Sequence, residues 1–274
     1  MKHLFTAVVW LACALVLSFI ALPLLALFLR VSPGTLVSQL GNPVARDALV
    51  VSLKTSLIAH ALVLLVGTPA AWALARRRFR GRSLLVSLVE LPLVLPPAVA
   101  GIALLAAFGR LGLLGGTLDG LGISISFTQT AVILAVAFVE SPFYVGGAIA
   151  AFEALDGTTL DAARTLGAGP GRLFFRIALP LAAGGLGAGS ALALARGLGE
   201  FGATIVFAGS LQGVTQTLPL AIYSQLDASF DVALAIGALF VVVGAALLVA
   251  LKTVPAWTRS ASTSAFRFGP TLSS

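Results

Sequence analysis

The chain has 274 residues, of which 59% are hydrophobic and only 10% charged. A soluble domain carries about 25% charged residues, so this composition cannot clothe a water-exposed surface and puts the chain in a membrane. One cysteine, Cys13, and two histidines, His3 and His60, exclude a disulfide framework and a cysteine- or histidine-built metal centre. The net charge of +7 has to be mapped along the chain before it means anything.

A spanning helix needs about 20 mostly apolar residues, and six segments qualify: 5–29, 48–75, 83–108, 127–151, 180–208 and 230–251. The first follows Lys2 as a signal peptide would, but it is too long for a signal core. It ends in Leu27-Phe28-Leu29-Arg30 rather than at a small-residue cleavage site, so it reads as a retained helix. In the third, Leu91-Pro92-Leu93-Val94-Leu95-Pro96-Pro97 interrupts the span, and Ser141-Pro142 predicts a kink in the fourth. Gly185 and Gly189 of the fifth make a small-xxx-small pair, which lets two backbones approach closely. Broken helices inside a bundle are tolerated where they line a cavity or pack on protein. Their concentration in spans three to five favours a pathway over plain packing. The stretch after Lys252 has no apolar period, so 253–274 is expected to be a disordered cytoplasmic tail behind a single transmembrane domain, 1–252.

The charges set the orientation. With the N-terminus in the cytoplasm, the inner segments hold Lys2, Arg76, Arg77, Arg78, Arg80, Arg82, Arg164, Arg172, Arg176, Lys252, Arg259 and Arg267. The outer loops hold Arg30, Arg46 and Arg110. Short loops rich in Lys and Arg stay inside, so both termini are expected in the cytoplasm. The positive charge is then a topology signal and no nucleic-acid footprint.

The loop 153–180, between spans four and five, does not read as a linker. Thr158 suits an N-cap with Asp161 three residues on, Gly167 supplies a C-terminal stop, and Pro170 suits the first turn of a second helix. The short helix between them would lie across the cytoplasmic face with Leu160, Ala163 and Leu166 on one side. A helix so short is marginal alone, so it docks on something, either a partner or its own bundle.

Asp161-Ala162-Ala163-Arg164-Thr165-Leu166-Gly167-Ala168, followed by Leu179-Pro180, resembles the cytoplasmic loop of binding-protein-dependent ABC importer permeases. Arg76-Arg77-Arg78-Phe79-Arg80-Gly81-Arg82 and the proline-rich segment of span three match the same family. Most members have Glu where this chain has Asp161, a change that keeps charge and capping ability. The resemblance covers roughly residues 45–252. It implies an all-α bundle of the type I importer permease kind. It also implies a coupling helix in which Asp161, Ala162, Ala163, Arg164 and Gly167 meet a separate ATPase. Arg196-Gly-Leu-Gly-Glu200-Phe-Gly-Ala-Thr204 and Thr215-Gln216-Thr217-Leu-Pro-Leu-Ala-Ile-Tyr223 are similar to the molybdate subgroup, while sulfate permeases resemble the first half.

What the family implies is a membrane subunit that works as two copies with two cytoplasmic ATPases and one external molybdate-binding protein, surrounded by lipid. The chain would bind no cofactor, ATP and magnesium being used by the ATPase. Its own sequence agrees: no Gly-x-x-x-x-Gly-Lys-Ser/Thr is present, so it is not read as an enzyme. A tetrahedral dianion needs hydrogen-bond donors and few unpaired carboxylates. Thr204, Ser210, Thr215, Gln216 and Thr217 supply neutral donors, and weak contacts suit a conduit.

Arg196 and Glu200 are four apart, so they can form a structural pair on one helix face, or Arg196 can meet the substrate. Lys54 is expected to snorkel, His60 to be a satisfied interior histidine, and Glu140 and Glu90 to be buried polar anchors. A channel or ion-coupled secondary transporter has the same hydropathy, but in that reading the loop motif would be an accident.

Overall fold

The computed structural model describes residues 2–264 other than 33, 36, 37, 39 and 40, with the backbone alone over 252–264. Every regular element among the described residues is helical. Five helices are long and apolar enough to cross a membrane, and one sharply bent pair makes a sixth crossing if counted as a single span.

Helix α1 (Lys2–Arg30) buries none of its residues against its own chain. Helix α2 (Pro43–Arg76) begins where Asn42 Oδ1 accepts from Val44 N at 3.0 Å and Pro43 occupies the first turn. Proline is tolerated there because its missing N–H has no intrahelical partner anyway. Helix α6 (Gln129–Glu153) holds Pro142 in its interior and continues beyond it. Beside that proline Ser141 Oγ donates to Ala137 O at 2.6 Å.

Helices α2, α6 and α8 (Pro170–Leu198) form the centre of the bundle. In lipid, helices associate by close packing and polar contacts rather than by exclusion of water, and the glycine pair of α8 serves that purpose. A Cβ on Gly185 would lie 2.6 Å from Ala151 Cβ, and one on Gly147 would lie 3.2 Å from Gly189 Cα. Toward one end of the bundle Val63, Leu74, Tyr144, Phe152, Leu160 and Leu173 make a continuous core. Toward the other, Leu104, Val132, Val136 and Phe207 make a second.

The remaining elements bear out one expectation and correct two. Span three is interrupted where the prolines predict: α3 (Arg82–Glu90) passes through a 3-10 turn at Leu91–Leu93, and α4 (Pro97–Phe108) leaves at 115° to it. Prolines at 92, 96 and 97 each remove a donor and restrict the residue before them, and together they bend the chain sharply. Span five starts ten residues earlier than the predicted 180, because a π-helical turn at Phe174–Ala178 carries α8 on from Pro170. It also stops at Leu198, so that 202–208 is a separate helix. Finally, the last helix does not end near 251 in an irregular tail: its backbone is helical to Ser264. Residues 265–274 of the expected tail, with Arg267, lie outside the described residues.

Short elements complete the chain. Helix α5 (Gly115–Gly120) belongs to the loop after α4, and α7 (Gly157–Thr165) to the loop after α6. Helix α9 (Gly202–Ala208) packs on α4, with Gly202 against Pro97 and Gly101 against Ala203 and Val206. Helix α10 (Leu218–Leu226) rests on α2 and on α11 (Phe230–Ser264) through Leu218, Ala48 and Ile236.

Candidate coupling and translocation sites

The loop helix α7 exists, but its cap is one residue type and two positions away from the predicted one. Asp156, not Thr158, is the N-cap: its Oδ1 accepts from Thr158 N at 3.0 Å, and Oδ2 accepts from the Thr158 and Thr159 hydroxyls at 2.5 and 3.2 Å. The Thr158 hydroxyl bond, with that residue's N–H, holds the Asp156 carboxyl below the usual carboxylate range. Gly167 ends the segment at φ +82°, a left-handed conformation that glycine adopts without strain. Its N–H bonds Arg164 O, and Ala168 N bonds Ala163 O.

Which face α7 shows follows from burial. Leu160 is 1% exposed in the core beneath, and Ala163 is half-buried against it. Leu166 was expected on that side, yet it falls one residue past the helix, at the C-cap, and is 87% exposed. The outward surface therefore carries Asp161, Ala162, Arg164 and Leu166, with Arg164 Nη1 2.6 Å from Asp161 Oδ1. An exposed pair of this kind contributes at most about 1 kcal/mol, so it shapes the surface more than it stabilises the helix.

Beneath α7 lies an aromatic cluster. The Trp72 ring stands 5.2 Å from Phe152 and 5.7 Å from Phe174, and Phe174 opens the π-helical turn. Arg76 caps the cluster 5.7 Å over Trp72 and donates to Leu155 O at 2.9 Å. The loop is thus clamped to α2, α6 and α8 at once.

The residues predicted for a pathway are distributed unequally. Arg196 and Glu200 do pair, Nη1 to Oε2 at 2.9 Å. They do so across the end of α8 and not along one helix face, since the helix stops at Leu198. Glu200 is 2% exposed, and its other oxygen accepts from Ala203 N at 2.7 Å, which fixes the start of α9. Arg196 keeps about a third of its side chain exposed.

Ser210 is exposed and accepts from Gln216 Nε2 at 3.3 Å; the same nitrogen reaches Ser224 Oγ at 3.2 Å. Thr215 is consumed locally, accepting from Leu211 N at 3.0 Å. Thr204 and Thr217 are buried with hydroxyls that find no partner among the described residues. Lys54 is exposed and donates to Gln129 Oε1, at the start of α6, at 2.8 Å. Glu90, expected to be a buried anchor, is exposed.

One arrangement was missed as an arrangement. His60 of α2, Glu140 of α6 and Ser190 of α8 meet in the interior, with Nδ1 3.0 Å from Glu140 Oε2 and Nε2 2.9 Å from Ser190 Oγ. Each was visible as a lone polar residue on an apolar helix. Only the three-dimensional packing makes them one network. Gly197 presses on it from α8, where any Cβ would run into the Glu140 side chain.

The profile of the family described as binding-protein-dependent transport system inner membrane component matches residues 64–254. The chain belongs to this family. The permease is 48% identical over 227 residues to the molybdenum transport system permease protein ModB of Mycobacterium tuberculosis, covering 83% of this chain and 86% of that one. It is 44% identical over 182 residues to ModB of Escherichia coli, covering 66% and 80%. It is 37% identical over 211 residues to the sulfate transport system permease protein CysW of Synechococcus elongatus, covering 75% and 74%. Its fold is that of a chain in a bacterial alginate ABC transporter solved with a pentasaccharide-bound periplasmic protein (TM-score 0.69, 16% identity, 88% of this permease and 92% of that chain).

Proposed function

We propose that this permease is the membrane subunit of an ATP-driven importer that passes molybdate from an external binding protein to the cytoplasm. The observation that carries the substrate is the 44–48% identity to molybdenum permeases, against 37% to a sulfate permease. Sulfate, the same tetrahedral dianion in shape and charge, is the second reading for that reason.

In this reading two copies form the pathway, two ATPases dock on the cytoplasmic side, and both chain termini face the cytoplasm. The outward face of α7, with Asp161, Ala162, Arg164 and the protruding Leu166, is the ATPase contact. Leu160 and the aromatic cluster below it carry the movement into α2, α6 and α8. ATP hydrolysis then belongs to the partner, with its nucleotide and magnesium.

Arg196 and Ser210, the two predicted pathway residues with exposed surface, meet the anion first. Arg196 lends positive potential while Glu200 holds it in place, so the anion is attracted without being trapped. Thr204, Thr215, Gln216 and Thr217 are inward-turned in this conformation and offer donors only when the segment 199–217 moves.

Uptake of molybdate by cells with and without the gene, with sulfate in excess, tests the reading. Gene-dependent uptake that resists sulfate supports molybdate. Uptake abolished by sulfate moves the assignment to the sulfate branch, and loss of any gene-dependent anion uptake removes both.

A further inference from the structure

The loop that joins α2 to α3 carries five arginines within seven residues, and the structure divides them into two kinds. Arg76 and Arg82 are engaged. Arg76 holds Leu155 O and covers Trp72, while Arg82 donates to Leu74 O at 2.6 Å and pairs with Glu153. Arg77, Arg78 and Arg80 are exposed, and among the described residues none of the three enters an ion pair.

Two of those free arginines stand on a groove. Ala70, Ala73 and Leu74 of α2 and Leu85, Leu88 and Val89 of α3 line a cavity of about 740 Å³, which Arg77, Arg78 and Phe79 complete at the loop. From Arg77 to Ala70 is seven residues, or about 10 Å along a helix. The cavity therefore runs from a pair of guanidinium groups to a wholly apolar floor two turns deeper. Excess positive charge on an inner loop already follows from topology. Topology does not supply an apolar groove leading away from two of the charges.

We propose that this groove binds one anionic phospholipid of the cytoplasmic leaflet, its phosphate on Arg77 and Arg78 and an acyl chain along α2 and α3. Guanidinium groups suit phosphate because they offer donors in a fixed fork. A free oxyanion shares the charge but has no tail for the apolar floor. The leaflet rests on the orientation proposed above; the lipid selectivity does not, since it is read in a symmetric bilayer without transport.

The test is the full chain reconstituted in phosphatidylcholine bilayers, with binding of spin-labelled phosphatidylglycerol compared with spin-labelled phosphatidylcholine. The wild type is expected to prefer phosphatidylglycerol, and Arg77→Gln and Arg78→Gln each to lose about fivefold of that preference. Arg80→Gln, on the same loop but off the groove, is expected to keep it. Leu88→Trp, which fills the groove and leaves every arginine in place, is expected to lose it. Equal losses in Arg80→Gln and Arg77→Gln would reduce the effect to diffuse surface charge and overturn the site. So would an unchanged preference in Leu88→Trp, or displacement of the lipid by millimolar molybdate or sulfate.

Discussion

His60 and Glu140, eighty residues apart, meet 3.0 Å apart in the interior of the bundle, and Ser190 closes the far side of the imidazole at 2.9 Å. One hydrogen-bond chain therefore ties α2, α6 and α8 together in the region where lipid offers no alternative partner. In the arrangement that gives each of the three a partner, Nδ1–H donates to Glu140 Oε2 and Nε2 accepts from the serine hydroxyl.

Removing the middle of that chain should hurt most. His60→Ala leaves both Glu140 oxygens without a partner among the described residues, since Oε1 has none already. A loss of about 2–3 kcal/mol is expected, read as a lower melting temperature of the purified protein in detergent. Ser190→Ala removes only an end of the chain and should cost less than about 1 kcal/mol.

Two glycines at the end of α8 separate packing from flexibility. Gly197→Ala should destabilise strongly, because its methyl would occupy space held by Glu140. At Gly199 a Cβ meets nothing nearer than 3.9 Å, so Gly199→Ala should melt like the wild type. Equal melting temperatures for the two variants would contradict the packing described.

Coupling is tested at Gly167 against Gly171. Both have open space around them, but only Gly167 has a positive φ. Gly167→Val forces a branched residue into the left-handed region, at a cost of roughly 1–2 kcal/mol, and should shift α7 without unfolding the bundle. In the reconstituted transporter the expected result is ATP hydrolysis that continues while anion transport falls several-fold. Gly171→Ala should leave the ratio of the two unchanged.

Asp156 gives the coupling helix a pH dependence of known sign. Its carboxyl is held below the usual range by the Thr158 bonds. The cap's contribution is therefore complete above the ordinary carboxylate pKa and is lost only as pH falls through the lowered one. Amide exchange at Thr158 and Thr159 should then be pH-insensitive, apart from intrinsic rates, between pH 5 and 8. Asp156→Ala should expose those amides at every pH, whereas Asp156→Asn, which still caps, should protect them.

Leu160 and Leu166 divide stability from assembly. Leu160→Ala empties a 1% exposed position and should cost about 2–4 kcal/mol. Leu166→Ala should leave melting unchanged but weaken co-purification of the ATPase subunit.

Much of this was legible in the sequence because lipid imposes length. Helices α1, α2 and α6 lie within a few residues of the predicted spans, since about 20 apolar residues admit little else. The loop helix was legible from its caps, although Asp156 and Thr158 are both good caps and residue type alone could not choose between them. The 115° angle was not legible: Leu91–Pro97 announces a break, but proline says nothing about the angle. Arg196 and Glu200 suggested a shared helix face, and nothing in the spacing reveals that α8 stops at Leu198 between them. The His60 network was invisible for a simpler reason, as contacts eighty and 130 residues apart leave no local pattern.

The bend after α3 bears on how this crossing is held in lipid. A turn of 115° splits this crossing into two short pieces, yet the pair still runs from one end of α6 to the other: Arg82 pairs with Glu153, and Leu104 packs with Val132. The twelve residues of α4 give about 18 Å of helix, against roughly 30 Å of hydrocarbon. Its neighbour α9 is shorter still, so neither helix spans the hydrocarbon alone and both rely on α6 beside them. A crossing built from two half-length helices joined at a bend has backbone N–H and C=O groups released in mid-membrane, and those groups need protein or water as partners because lipid offers none.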